Sequence, residues 1–427
     1  MKKKYRILVF PCGSEIGLEV NRSLRYSAHI ELIGGNSIDD HGKFVYENYI
    51  PNIPFINSSN IIQYLKNLVN ENQIDAIYPT MDKVIWKLKS NEDELGCKVI
   101  SSPPETTEIC LSKNETYKFF QNKIKVPKVY NSLEDIDNYP VFIKPDVGYG
   151  ARNIFIAEDV KELDYFFNKK EKKDYIITEY LTGDEFTVDC FTDKYGKLRF
   201  AHARKRNRIK DGISVNTSPV EVEIKLFSEI AEVINASLKL RGAWFFQLKK
   251  NINDELVLLE VAARLGGSSA LFRGVGVNFA LLSVFDAFDI DVELIENNYR
   301  IELDRSFDVK YKMDITYSTV YVDFDDCLII DGKVNYDLIA FLYKSLNEGK
   351  NMILLTKHEN NIEGTLNKYR LGSIFDEIII ISKNEEKSNY ISIRDSIFID
   401  DSFIERKNVS KNKNIPVFAP DMIESLL

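Results

Sequence analysis

The chain has 427 residues, 44% of them hydrophobic, and a formal net charge of −9. That length exceeds one ordinary core and predicts two to four domains. The apolar content excludes global disorder, and the acidic balance argues against a nucleic-acid partner. No stretch approaches the ~20 apolar residues of a membrane span, so no membrane partner is expected. The opening "MKKKYRILVFPCG" has a basic head, but its apolar run of Ile7 to Phe10 is too short for a signal peptide and reads as a first strand. Five scattered cysteines (Cys12, Cys97, Cys110, Cys190, Cys327) form no CxxC pair, which fits reduced thiols in a cytoplasm. The four histidines are dispersed as well, so any metal should be a hard cation on oxygen ligands.

Residues 1–105 alternate strand and helix. "RILVF", "IELIGG", "DAIYPT" and "KVIS" read as strands; "CGSEIGLEVNRSLR" reads as a turn and helix, and "SSNIIQYLKNLVNEN" as a helix. This pattern predicts a doubly wound α/β domain. Its first turn carries Gly13 and Gly17 but no GxGxxG. Strand two ends in Gly34-Gly35-Asn36, where a dinucleotide fold places an acid. A structural Rossmann-like domain is therefore expected in place of a nicotinamide site.

Residues 106–310 change texture, and antiparallel pairs are expected: "PVFIKPD" with "NIFIAE", then "DYIITEYL" with "EFTVDCFTD". Lys144 ends one strand, and Gly148 and Gly150 occupy the loop after it. Such a loop lets backbone N–H groups approach phosphates, although it is not a Walker loop. A second lysine, Lys113, opens a helix in "LSKNETYKFFQ". "IITEYLTGDEFTVD" supplies Glu179, Leu181 and Glu185. "RGAWFFQLKKNINDELVLLEVAARLGGS" places Gln247 and Glu260 on two paired strands, followed by Arg264.

In this order the motifs resemble the ATP-grasp superfamily, nearest its carbamoyl-phosphate-synthase-like branch, over about residues 1–300. The resemblance implies a pre-ATP-grasp domain followed by an α+β ATP-grasp domain. It also implies that Lys113 and Lys144 hold the phosphates of ATP beneath the Gly148–Gly150 loop. Adenine would pair with backbone near Glu179 to Leu181, Glu185 would accept the ribose hydroxyls, and Gln247 and Glu260 would hold Mg²⁺. Arg264 would steady the phosphorylated intermediate. Ala262 departs from the family's usual asparagine and offers no ligand. Within the basic run "ARKRNRIKDG", Arg204 and Arg206 are candidate contacts for an anionic substrate or the phosphates; a solvated face is the plainer reading.

From about residue 315 the alternation returns, with strands expected in "TVYVDFDD", "NMILLT", "EIIIIS", "SIFIDD" and "PVFAP". A third, parallel-sheet α/β domain over 316–427 follows. "VYVDFDDCL" resembles the first motif of the haloacid-dehalogenase-like (HAD) superfamily, with Cys327 where threonine is more usual. The resemblance implies that Asp323 attacks phosphorus and that Asp325 shuttles the proton of the leaving oxygen. Thr356 would bind the phosphoryl oxygen and Lys387 would balance charge. Asp400 and Asp401, with Asp323 and Asp325, would serve magnesium.

The expected protein is thus an ADP-forming carboxylate–amine ligase joined to a Mg²⁺-dependent phosphatase. Its partners would be a small carboxylate and an amine, one of them phosphorylated, and a homodimer is possible on family analogy. The rivals are a kinase or carboxylase with a non-catalytic last domain, and a nucleotide-sensing protein.

Overall fold

The computed structural model describes residues 4–148 and 152–427; Gly150, expected in the phosphate loop, lies outside the described residues. The chain divides into two units, Met1–Phe307 and Asp308–Leu427.

The first unit begins with a five-stranded sheet. It comprises β1 (Tyr5–Phe10), β2 (Ile30–Gly35), β3 (Asn48–Ile50), β4 (Ala76–Pro79) and β5 (Lys98–Val99), in the order β3-β2-β1-β4-β5. All four pairings are parallel. Ile7, Leu8 and Val9 are fully buried, which is why β1 reads as an unbroken apolar run. The earliest strand lies in the middle of the sheet, so its carboxyl end is a topological switch point. The helix Glu15–Leu24 starts there, capped by the Ser14 side chain, which accepts the Gly17 N–H at 3.0 Å.

Two antiparallel sheets follow. The smaller comprises β6 (Val129–Tyr130), β7 (Val141–Pro145), β8 (Phe155–Ala157) and β9 (Tyr175–Glu179), ordered β6-β9-β7-β8. The larger comprises β10 (Glu185–Thr192), β11 (Leu198–Lys210), β12 (Ile213–Pro219), β13 (Gly242–Lys250), β14 (Leu256–Ala262) and β15 (Leu303–Asp304), ordered β14-β13-β10-β11-β12-β15. The helix Ile224–Ser237 buries Phe227, Ala231 and Ile234 in the same core as Phe186, Trp244 and Phe246 of the larger sheet, the 3.6-residue stripe of an amphipathic helix. The Trp244 indole N–H donates to Thr192 Oγ1 at 2.8 Å, satisfying the one polar atom of the buried ring.

One expected pairing is corrected. β9 pairs with β6 and β7, and β10 pairs with β11 and β13, so "DYIITEYL" and "EFTVDCFTD" do not form a hairpin. The five residues Tyr180-Leu181-Thr182-Gly183-Asp184 carry the chain from the small sheet to the large one. A Cβ on Gly183 would lie 2.6 Å from Lys250 Cβ and 2.7 Å from Lys250 O, while the Gly183 N–H donates to that same carbonyl at 3.0 Å. The crossing is pressed directly against β13.

The opening sheet and the antiparallel region share a core: Ile7 and Val9 lie in one cluster with Phe200, Phe272 and Phe279. Ser101 Oγ donates to Ala263 O at 3.2 Å across the expected 105/106 boundary.

The second unit has a five-stranded sheet of β16 (Thr319–Val322), β19 (Asn351–Thr356), β20 (Glu377–Ile380), β21 (Ser396–Ile399) and β22 (Val417–Phe418), ordered β20-β19-β16-β21-β22. All its pairings are parallel, and its five strands are the five expected ones. A small hairpin of β17 (Ile329–Ile330) and β18 (Lys333–Val334) follows the first strand. Again the first strand is central, which puts a switch point at the carboxyl end of β16. Among the described residues no helix is long and apolar enough to cross a membrane.

Gly183→Val should destabilise the first unit by about 1–3 kcal/mol, because a branched side chain has no space against Lys250. Thermal unfolding of the variant followed by calorimetry checks this.

Candidate functional site

In the first unit the helix Lys113–Phe120 organises the site. Its N-cap, Ser112, accepts the Glu115 N–H at 3.1 Å. The Asp146 carboxylate, just past β7, accepts from the Ser112 hydroxyl at 2.8 Å and from the Asn114 N–H at 2.8 Å. A carboxylate at a helix N-terminus is favoured by the helix dipole. Lys113 Nζ reaches the carbonyls of Asp146 and Gly148, both at 3.2 Å, so it lies against the loop that follows Lys144.

Lys144 is 7% exposed, and its Nζ donates to the Tyr117 hydroxyl at 2.7 Å. Burial, reinforced by the charge of Lys113, lowers its pKa to about 7 against the partial support of Glu260. The amine therefore titrates near neutrality and gains most from an anion placed upon it.

Gln247 and Glu260 are direct partners in the β13–β14 register. Spacing and pairing put both on one face of the larger sheet. Gln247 Oε1 accepts from Arg206 Nη1 at 3.3 Å, and the Arg206 guanidinium is also bonded to the Glu185 carboxylate. Glu185 is thus an acceptor for Arg206, where a ribose contact was expected. Arg206 thus joins Glu185 and Gln247 in one polar cluster.

Arg204 is held in an internal ion pair. It is 3% exposed, and its Nε donates to Asp189 Oδ2 at 2.6 Å. Gly266 lies over the pair: a Cβ there would sit 2.6 Å from Asp189 Oδ1 and 3.4 Å from Arg204 Nη2. Burying an arginine requires a counter-charge, and Asp189, on the neighbouring strand, supplies it. The expected substrate contact at Arg204 is withdrawn.

Glu179 ends β9. Its N–H donates to Lys128 O at 3.0 Å and its carboxylate accepts from Lys128 N at 2.9 Å, so this residue's N–H is already spent. Leu181 is buried at the start of the crossing. Arg264 is gripped by Asp82 through two bonds, Nε–Oδ1 at 2.7 Å and Nη2–Oδ2 at 3.0 Å, and its guanidinium lies over the Phe245 ring at 5.1 Å. Ala262 is buried. Tyr117, Asp146 and Asp82 were not identified from sequence. Each looks like an ordinary helix or loop residue, and its role rests on contacts made by folding.

A magnesium ion fits this donor set. Glu260 offers an anionic oxygen and Gln247 an amide oxygen, and Ala262 offers none. Mg²⁺ is commonly held by one or two carboxylates plus substrate phosphates, so phosphate oxygens and water would complete the shell.

In the second unit Asp323 leaves the carboxyl end of β16 at the switch point, and Asp326 turns the chain with φ +54°. Lys387 Nζ bridges Asp323 Oδ1 and Asp400 Oδ2, each at 2.6 Å. All three are buried. Asp400 Oδ1 also accepts the Ser402 N–H at 2.8 Å. Burial pushes the Asp323 carboxyl up to about 6, helped by Asp400 and opposed by Lys387. Burial works against the Lys387 charge, yet Asp323 and Asp400 outweigh it and raise its pKa. Asp323, Asp400 and exposed Asp401 bring ligand oxygens within 4.8 Å of one another, a set that suits a hard divalent cation.

Asp325 stands apart from that trio. Its carboxylate accepts from or pairs with His358 Nδ1 at 2.9–3.0 Å and its side chain is 56% exposed. Its assignment as a metal ligand is corrected, because the chain turns after Phe324 and carries this side chain toward β19. His358 was missed from sequence. Its backbone N–H donates to Thr356 Oγ1 at 3.1 Å, so Thr356, fully buried at the end of β19, sits beside the same corner.

Residues 171–314 match a family profile described as ATP-grasp in the biosynthetic pathway with Ter operon. The D-alanine–D-alanine ligase of Fusobacterium nucleatum is 28% identical over 166 residues, covering 36% of this chain and 57% of that protein. The chain thus spans little more than half the length of the curated relatives it matches. The Staphylococcus aureus N5-carboxyaminoimidazole synthetase complexed with ADP superposes with a TM-score of 0.58 at 15% identity, covering 69% of this chain and 81% of that one. The L-amino acid ligase of Bacillus licheniformis superposes with a TM-score of 0.53 at 17% identity, covering 69% and 76%. The chain contains an ATP-grasp family domain over residues 171–314, in an α/β fold shared with these structures.

Proposed function

We propose that the first unit is an ADP-forming, ATP-dependent carboxylate–amine ligase and that the second is a HAD-type phosphatase. The observation that carries the ligase reading is the convergence of four elements, β7, the helix Lys113–Phe120, β13 and β14. Gln247 and Glu260 stand opposite each other on β13 and β14, and Tyr117 ties Lys144 to the carbonyl of Leu259, the residue before Glu260. The likeness to D-alanine–D-alanine ligases and to an L-amino acid ligase supports the same reading.

On this reading ATP lies between the two antiparallel sheets. Lys113 and Lys144 meet its phosphates as point charges, and the Gly148 end of the loop closes on them. The Glu179–Leu181 crossing borders the adenine. Bound Mg²⁺ on Gln247 and Glu260 would neutralise charge on the phosphate oxygens. A carboxylate oxygen attacks the γ-phosphorus, giving an acyl phosphate and ADP; the amine then attacks the acyl carbon and inorganic phosphate leaves. Arg264, fixed by Asp82, steadies the developing charge. The activation is required because a free carboxylate is a poor electrophile.

In the second unit Asp323 is the nucleophile toward a phosphate ester and Asp325 donates the proton to the leaving oxygen. Thr356 holds a phosphoryl oxygen, and Lys387 keeps the buried carboxylates compatible. Bound Mg²⁺ on Asp323, Asp400 and Asp401 would screen the incoming phosphate. The phosphorylated partner is the amine, whose phosphate serves as a charged handle for the ligase and is removed from the amide afterwards. The five free cysteines suit a reducing cytoplasm, and a homodimer is the proposed assembly.

Three outcomes are expected. Lys144→Met should weaken MgADP binding at least about tenfold at pH 6. A bound phosphate raises the pKa of this amine above its free value near 7. Its contribution is therefore full below pH 7 and fades as the pH rises, so calorimetric titrations at pH 6 and pH 8.5 should show the gap between the two proteins narrowing. Glu260→Gln should abolish ADP release in a folded protein; normal ADP production would place the magnesium elsewhere. Asp323→Asn should remove phosphatase activity and leave ligation intact. Given ATP, a panel of carboxylic acids and a phosphorylated amine, that variant should accumulate a phosphorylated amide visible by mass spectrometry, and loss of ligation as well would join the two activities in one site.

A further inference from the structure

Lys144 is a buried amine on a flexible four-carbon stem, so something must fix its direction. The Tyr117 hydroxyl does so. This phenol is 2% exposed, and it donates to the Leu259 carbonyl at 2.7 Å while accepting from Lys144 Nζ at 2.7 Å. Both lone-pair and proton demands of the hydroxyl are met by these two partners. Burial, with the charges of Glu260 and Asp146 nearby, raises the phenol pKa well above its ordinary value, which keeps the hydroxyl protonated and able to donate. The charged groups around the amine itself are Lys113, Glu260 and Lys249. Tyr117 lies one helical turn beyond Lys113, so a single helix carries the lysine that meets the loop and the phenol that meets the second lysine. Leu259 directly precedes Glu260 on β14.

We propose that Tyr117 is a positioning residue of the nucleotide site. Its hydroxyl holds the Lys144 ammonium against the strand that presents Glu260, so one side chain sets the spacing between the phosphate-binding amine and the metal-binding carboxylate. The inference rests on the ATP-binding reading of this unit. It adds a residue that touches neither phosphate nor metal and acts through Lys144. Preorganisation of this kind matters because a phosphate then meets an amine already aimed, with no side-chain search to complete.

The test is a double-mutant cycle on the full chain, with MgADP affinity measured by calorimetry in wild-type protein, Tyr117→Phe, Lys144→Met and the double variant. Tyr117→Phe should weaken binding about five- to tenfold, and Lys144→Met at least about tenfold. The double variant should bind within about twofold of Lys144→Met, since the hydroxyl acts only through the amine. Independent losses that multiply in the double variant would show a merely structural tyrosine and overturn the inference. So would wild-type affinity in Tyr117→Phe. Should Tyr117→Phe fail to fold, Tyr117→Met, which keeps apolar bulk without the hydroxyl, takes its place in the same cycle with the same expectations. Equal binding by wild-type protein and Lys144→Met, or no MgADP binding by wild-type protein, would instead sink the clamp reading and the inference with it.

Discussion

The register of β14 against β13 is the constraint on which the first unit's site depends. Side chains alternate faces along a strand, so a slip of one residue would turn Glu260 away from Gln247. That register is held from several sides. Leu258 N donates to Lys125 O at 2.8 Å, Leu259 O receives Tyr117, and Ala263 O receives Ser101. Arg264, just beyond the strand, is locked to Asp82. The irregularity between Gln247 and Leu248 in the β13–β14 pairing falls at the proposed metal-binding position, and bulges commonly re-aim a side chain.

Charge pairs then join the late chain to the helices of the opening α/β region. Arg264 reaches Asp82, Arg273 reaches Glu19 at 2.7 Å, and Arg305 reaches Glu15 at 2.9 Å. Glu19 is only 4% exposed, so removing its arginine would strand a buried charge. Together with the shared apolar cluster around Ile7, Val9 and Phe272, these pairs explain why residues before and after 105 form a single unit.

The second unit solves a different electrostatic problem. Asp323 and Asp400 would repel each other in a buried space if both were charged and unpartnered. Lys387 stands between them at 2.6 Å from each and makes the pair tolerable. Burial still pushes the Asp323 carboxyl up, to about 6, against the opposing charge of Lys387. A divalent cation would relieve the same repulsion, which supports the cation site proposed for this cluster.

Much of this was legible in the sequence, and for a physical reason. Strands covered on both faces must be apolar throughout, so "RILVF", "TVYV" and "MILLT" announced two parallel sheets without any partner being known. The ordered resemblance to two families, more than strand position, singled out Lys113, Lys144, Gln247, Glu260, Asp323, Lys387 and Asp400 as candidates to meet phosphate or a hard cation. Tertiary structure alone decided what those groups lean on. "DYIITEYL" and "EFTVDCFTD" are both good strands separated by a glycine-bearing turn, and nothing local distinguishes a hairpin from a crossing between two sheets. Arg204 and Arg206 sit two apart on one strand and look equivalent, yet Gly266 covers the first and leaves the second beside Glu185 and Gln247. Tyr117 finds Leu259 across 142 positions and Arg264 finds Asp82 across 182. Pairings over such distances leave no periodic trace in a single sequence, because they arise only when separate elements pack, and it is that packing which aims the chemistry.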